Sequence, residues 1–113
     1  PWSYMNKFEA TILISPDISN QILDKEIDSF KSQIESQKGK IINHENWGLR
    51  DLSYNIKDFK KAFYKYFQLE FDGNNIKKIQ NNLNQNEKIV RHLFVKVEKH
   101  EELPTKILAN EEK

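Results

Sequence analysis

Between Ala62 and Asp72 the apolar side chains follow a strand repeat. Phe63, Phe67, Leu69 and Phe71 share one face, with Lys65 as the exception, while Tyr64, Tyr66, Gln68 and Glu70 share the other. A repeat of two marks a strand with one buried face. Such a strand needs pairing neighbours and a second layer to cover its apolar side. The rest of the chain offers both. Lys7–Ile14 alternates in the same way, with Phe8, Ala10, Ile12 and Ile14 on one face, and Ser15-Pro16-Asp17 closes it because proline cannot continue a ladder. From Ser19 to Gln37 the period changes: Leu23, Ile27, Phe30 and Ile34 form one helical stripe, Ser19 is the natural N-cap, and Gly39 stands where a helix stop belongs.

Lys40 to about Trp47 reads as a second strand. Gly48 interrupts it as a bulge or a close backbone approach, and extended character resumes through Leu52, Tyr54 and Ile56. Lys57 to Lys60 is a polar turn, so the second and third strands form a long hairpin. Gly73 and Asn74 open a short helix reaching about Asn84, with Ile76, Ile79 and Leu83 on its inner face. Asn81, Asn82 and Asn84 are poor helix formers, so packing must hold it. Glu87–Glu98 reads as a last strand with apolar groups on both faces: Ile89, Leu93, Val95 and Val97 on one, Val90 and Phe94 on the other.

The order β-α-β-β-α-β, with right-handed crossovers, builds a ferredoxin-like α+β fold: a four-stranded antiparallel sheet with two helices on one face and the other face open. The domain is expected over residues 7–98, with an N-terminal extension at 1–6 and a polar C-terminal tail at 99–113. At 113 residues there is material for one core, not two.

Composition removes several function classes. With no cysteine, disulfides, thiolate metal sites and cysteine nucleophiles are excluded. No apolar run approaches the ~20 residues of a membrane-spanning helix, and no segment reads as a secretory leader. The net charge of +1 is unevenly spread. Seven bases against three acids between Lys38 and Lys65 give that stretch a local charge of +4, whereas 98–113 carries −2. The hairpin can face a polyanion and the tail cannot.

A search for catalytic chemistry finds little. His44, His92 and His100 have no metal-ligand spacing, and Gly39, Gly48 and Gly73 form no phosphate-cradling loop. The acylphosphatases that share this fold need an arginine after the first strand, where Ser15-Pro16-Asp17-Ile18 has no cation. RNA-recognition domains of the same element order stack bases on aromatics of the third strand. In Lys61-Ala62-Phe63-Tyr64-Lys65-Tyr66-Phe67 a lysine falls where the second stacking ring belongs. No enzyme, cofactor or metal is expected.

One stretch is specific. Trp47-Gly48-Leu49-Arg50-Asp51-Leu52-Ser53-Tyr54-Asn55-Ile56-Lys57 resembles the signature of the bacterial small-subunit ribosomal protein six family: a glycine, a basic residue two on, then Leu-Ala/Ser-Tyr-x-Ile. Phe8-Glu9, Pro16-Asp17, Lys38-Gly39-Lys40-Ile41, Leu69-Glu70 and Asn86-Glu87-Lys88-Ile89-Val90-Arg91 extend the similarity over roughly residues 7 to 98. Asn55 departs from the usual proline, and Asp51 from the usual base or glutamine.

The resemblance implies a structural protein of the small ribosomal subunit. Such a protein binds the central domain of small-subunit rRNA together with small-subunit ribosomal protein eighteen, on a cytoplasmic or a mitochondrial ribosome. The alternative is a stand-alone RNA-binding or regulatory module on the same fold. Expected rRNA contacts are Arg50, Lys57, Lys60, Lys61 and Arg91, with Tyr54 as a packing support. Expected contacts with the partner protein are Tyr64, Tyr66, Val90, Phe94, Leu103, Ile107 and Leu108. Trp47 is expected to anchor the base of the hairpin.

Overall fold

The structure, a computed structural model, describes residues 5–105. Four strands, β1 (Met5–Ile14), β2 (Lys40–Ile56), β3 (Phe59–Asp72) and β4 (Ile89–Val97), pair antiparallel in the order β2-β3-β1-β4. Helices α1 (Asn20–Ser36) and α2 (Ile76–Gln85) complete the ferredoxin-like arrangement. Phe8, Ala10, Ile12 and Ile14 of β1 and Phe67, Leu69 and Phe71 of β3 meet Leu23, Phe30 and Ile34 of α1 and Ile79 and Leu83 of α2 in one core. Both helices therefore cover the same sheet face. Full burial of each large apolar side chain there contributes about 1.5–3 kcal/mol.

The Ser19 hydroxyl caps α1 by accepting the backbone N–H of Ile22 at 3.3 Å. The other end is a Schellman closure: the Gly39 N–H donates to the Ile34 carbonyl and the Lys38 N–H to that of Glu35, both at 2.9 Å. The left-handed residue is Lys38 at φ 62°, not Gly39. Gly39 is needed for space instead, since a Cβ there would lie 2.8 Å from Phe71 Cβ and 2.9 Å from Ile34 Cγ2. Gly48 is the reverse case: open space surrounds it, and its φ of +80° sits in the bulge between Asn46 and Gly48.

The hairpin joining β2 and β3 turns in two residues. Lys57 (φ 52°) and Asp58 (φ 68°) sit between the paired Ile56 and Phe59, as a primed two-residue turn demands. A further register break between Asp51 and Ile56 lets the tip bend. Leu52, Ile56, Phe59 and Tyr64 then pack on Leu13, Ala62 and Val90, a second small core.

The last strand corrects the sequence expectation. Phe94 does not share the open face with Tyr64 and Tyr66; it stands over the helices, its ring 6.3 Å from Phe30 and 6.5 Å from Phe71. Leu93 and Val95 carry the open face and are 56% and 46% exposed. A register shift opposite Leu13 and Ile14 puts Ile89 into the main core and Val90 into the second one.

Candidate functional site

The open face is divided in two. On the side of β2 and β3 it is closed by the chain itself. Trp47 stacks on Tyr66 with ring centroids 5.0 Å apart and planes 11° from parallel, and its indole N–H donates to Glu45 Oε1 at 2.9 Å. Residues beyond β4 then cross the sheet as a strap. The Glu101 N–H donates to Glu9 Oε2 at 2.8 Å, and the Gln68 amide donates to the Glu101 carbonyl at 2.7 Å. The Thr105 hydroxyl and N–H donate to Glu45 Oε1 and Oε2 at 2.7 and 3.1 Å.

Burial raises the Glu45 carboxyl pKa, but the hydrogen bonds from Trp47 and Thr105 outweigh it and hold the group below its ordinary value. Tyr66 beneath is 4% exposed, and burial pushes its phenol well above the usual range. Tyr66 and Val90, at 4% and 3% exposure, thus serve as packing groups of this chain and not as open surface for a partner. Leu103 lies on the strap and is 38% exposed. Ile107 and Leu108 lie outside the described residues.

On the side of β1 and β4 the face stays open, and Arg91 stands there. The hairpin tip brings Tyr54 to Arg91 across the sheet, with the guanidinium Nη1 donating to the Tyr54 hydroxyl at 3.2 Å. Lys57 lies three residues on, in the turn. Burial, and then the charge of Lys57, lower the pKa of His92 next to Arg91. The His92 ring makes a 3.0 Å hydrogen bond with Asn84 Oδ1 through Nε2. Beside Arg91 lies a hollow of about 300 Å³ lined by Thr11, Leu13, Tyr64, His92 and Leu93.

The remaining bases stand along the hairpin. Arg50 Nε donates to the Trp47 carbonyl at 2.9 Å, which ties that side chain to the stacked indole. Lys61 faces Asp51 at 3.8 Å in an exposed pair of little energetic weight. Lys60 is exposed. Of the expected cations, Arg91 lines the open face beside Tyr54, Lys57 and Lys60 stand at the tip of the hairpin, and Arg50 and Lys61 lie along its shaft.

Sequence reasoning does not single out Glu9, Glu45, Gln68 and Thr105. Polar residues at isolated positions carry no periodic signal. Only the odd presence of Glu45 and Gln68 within strands hints at buried acceptors and donors awaiting a partner.

Comparison with known proteins adds an independent line. A family model described as ribosomal protein S6 matches residues 7–96. The chain is 31% identical over 107 residues to small ribosomal subunit protein bS6 of Orientia tsutsugamushi, covering 95% of this chain and 91% of that one. It is 34% identical over 107 residues to bS6 of Rickettsia felis, covering 95% and 88%. The crystal structure of 30S ribosomal protein S6 from Thermotoga maritima superposes with a TM-score of 0.79 at 26% identity, covering 82% of this chain and 88% of that one.

Proposed function

Because the chain belongs to the ribosomal protein S6 family, we propose that it is a structural, non-catalytic protein of the small ribosomal subunit that holds the central domain of small-subunit rRNA together with small-subunit ribosomal protein eighteen. The match over residues 7–96 carries the ribosomal half of this reading. Arg91 on the open face, with the bases of the hairpin, supports the rRNA half. Cations so placed neutralise phosphates and release counterions, which positions a protein on RNA without reading its sequence. Arg91 presents a planar fork suited to bidentate phosphate contact, and Tyr54 fixes its direction. Arg50, Lys60 and Lys61 continue the contact along the hairpin. The relatives compared above are bacterial proteins, and the proposed site of action is a bacterial-type cytoplasmic ribosome.

A net charge of +1 is small for a protein that grips RNA alone, so the partner protein supplies part of the positive surface. Its seat includes exposed apolar surface at Val95 on β4 and Leu103 on the strap, and Ile107 and Leu108 are further proposed contacts. The test is an rRNA-binding titration in rising salt, with and without the partner. Weak binding by the isolated chain and much tighter binding by the pair is the expected result. Full affinity of the isolated chain would make it a stand-alone RNA-binding module instead.

A further inference from the structure

We propose that the hollow lined by Arg91 is a pocket for one unpaired RNA nucleotide, its base lying against Tyr64 between Leu13 and Leu93 and its phosphate held by Arg91. This rests on the rRNA-binding reading and adds to it the state of the nucleotide that is held. The hollow is built from directly paired strand positions: Leu13 lies opposite Tyr64 on β3 and opposite Arg91 on β4, and Thr11 lies opposite Leu93. Its volume of about 300 Å³ is some ten times the ~30 Å³ share of one water, enough for a purine or pyrimidine ring.

The chemistry of the walls selects the occupant. Leu13, Tyr64 and Leu93 give apolar and aromatic surface, the Thr11 hydroxyl offers one donor and acceptor for a base edge, and none of the lining residues is acidic. The guanidinium at the rim has five N–H donors, of which Tyr54 engages one nitrogen. A hollow with apolar and aromatic walls and a guanidinium among them is complementary to a base with its phosphate. A paired and stacked base cannot enter such a hollow, whereas a bulged or looped-out base can. Tyr66 takes no part, because Trp47 and the strap cover it.

The test uses the full chain and two RNA hairpins that differ by a single unpaired 2-aminopurine nucleotide. The bulged hairpin is expected to bind about tenfold more tightly, in the range that base stacking on an aromatic side chain supplies, with its fluorescence quenched on binding. Thr11→Met, which fills the hollow without adding charge or a ring, is expected to erase the preference and the quenching while leaving the paired hairpin bound as before. Thr11 is central in the sheet, so Leu93→Ala at an exposed position, which removes one wall without adding charge, serves as a second variant with the same expected loss. Equal affinity for the two hairpins, or a preference that survives both substitutions, would overturn the pocket while leaving the rRNA reading in place. Shielding of Thr11 and Leu93 by the partner protein with no RNA preference would also overturn it, making the hollow a protein seat. Failure of both hairpins to bind at low salt, with the partner protein present as well as absent, would overturn both.

Discussion

Glu45 holds Thr105 through both carboxylate oxygens, across 60 residues of sequence: the hydroxyl donates to Oε1 at 2.7 Å and the backbone N–H to Oε2 at 3.1 Å. Thr105 is 2% exposed and Glu45 8%, so neither group can exchange its bonds for water without the strap lifting. Charge-assisted hydrogen bonds contribute about 1.5–3 kcal/mol each. Thr105→Val removes the hydroxyl bond and keeps the shape. It is expected to weaken closure of the strap by about that amount and to lower global stability by no more than that. Amide hydrogen exchange at Glu101 and Thr105 is the measurement. Faster exchange there, by a larger factor than in β1 and β3, is the expected pattern; slower or unchanged exchange at Glu101 and Thr105 would contradict it.

The same carboxylate makes the fold acid-sensitive. The folded-state pKa of Glu45 lies below its ordinary 4.5, because its hydrogen bonds outweigh its burial. His44 and His92 lie below their ordinary 6.5, first from burial and then from neighbouring lysines. In all three cases the unfolded chain binds more protons than the folded one, so stability rises with pH through these windows. Urea midpoints are expected to be level between pH 7 and about 9, below the ordinary tyrosine range. They should fall as the pH drops through 6.5 toward the lowered histidine values, and fall again below 4.5 as Glu45 is protonated. A midpoint that increased on acidification would refute this assignment.

Two adjacent residues at the end of α1 respond oppositely to small changes. Lys38 carries a left-handed φ of 62° that costs an L-residue about 1–2 kcal/mol. Lys38→Gly relieves this at some cost in unfolded-state entropy and is expected to stabilise the protein by about 0.5–1 kcal/mol. Gly39→Ala drives a methyl group into Phe71 and Ile34 and is expected to destabilise by about 1–3 kcal/mol, as overpacking does. Thermal midpoints of the two variants check both signs.

These positions also show what the sequence can reveal. The strand β1, the helix α1 and the centre of β3 each have a single apolar face, so their periodicity names both the element and its buried side. The last strand has two apolar faces. Leu93, Val95 and Val97 outnumber Phe94, but Phe94 completes an aromatic cluster with Phe30 and Phe71. One ring seated in the core outweighs several aliphatic groups on an edge strand, and the bulge at Ile89 and Val90 hides the change of parity. The strap has no periodicity at all and is held by hydrogen bonds to side chains 33 to 92 residues distant. The meeting of Tyr54 with Arg91 depends on the path of the hairpin, which the positive local charge marks without locating. Phe94→Ala is therefore expected to cost about 3–5 kcal/mol or somewhat less for a half-buried ring, while Leu93→Ser leaves the denaturation midpoint nearly unchanged.

If the cations act on RNA as proposed, they are not equivalent. Arg91 is aimed by Tyr54, and Lys57 is carried to the same end of the sheet by the hairpin. Lys61 already faces Asp51 at 3.8 Å, so binding a phosphate there has to displace a carboxylate. Removing one phosphate-binding cation lowers the slope of log affinity against log salt by about 0.7–0.9. Arg91→Ala and Lys57→Ala are each expected to reduce the slope by about that amount when rRNA is titrated with the chain and its partner. Lys61→Ala is expected to change it less, and Asp51→Asn to tighten binding by freeing the lysine. A slope that responds to Lys61→Ala but not to Arg91→Ala would move the RNA from the β4 side of the sheet to the shaft of the hairpin.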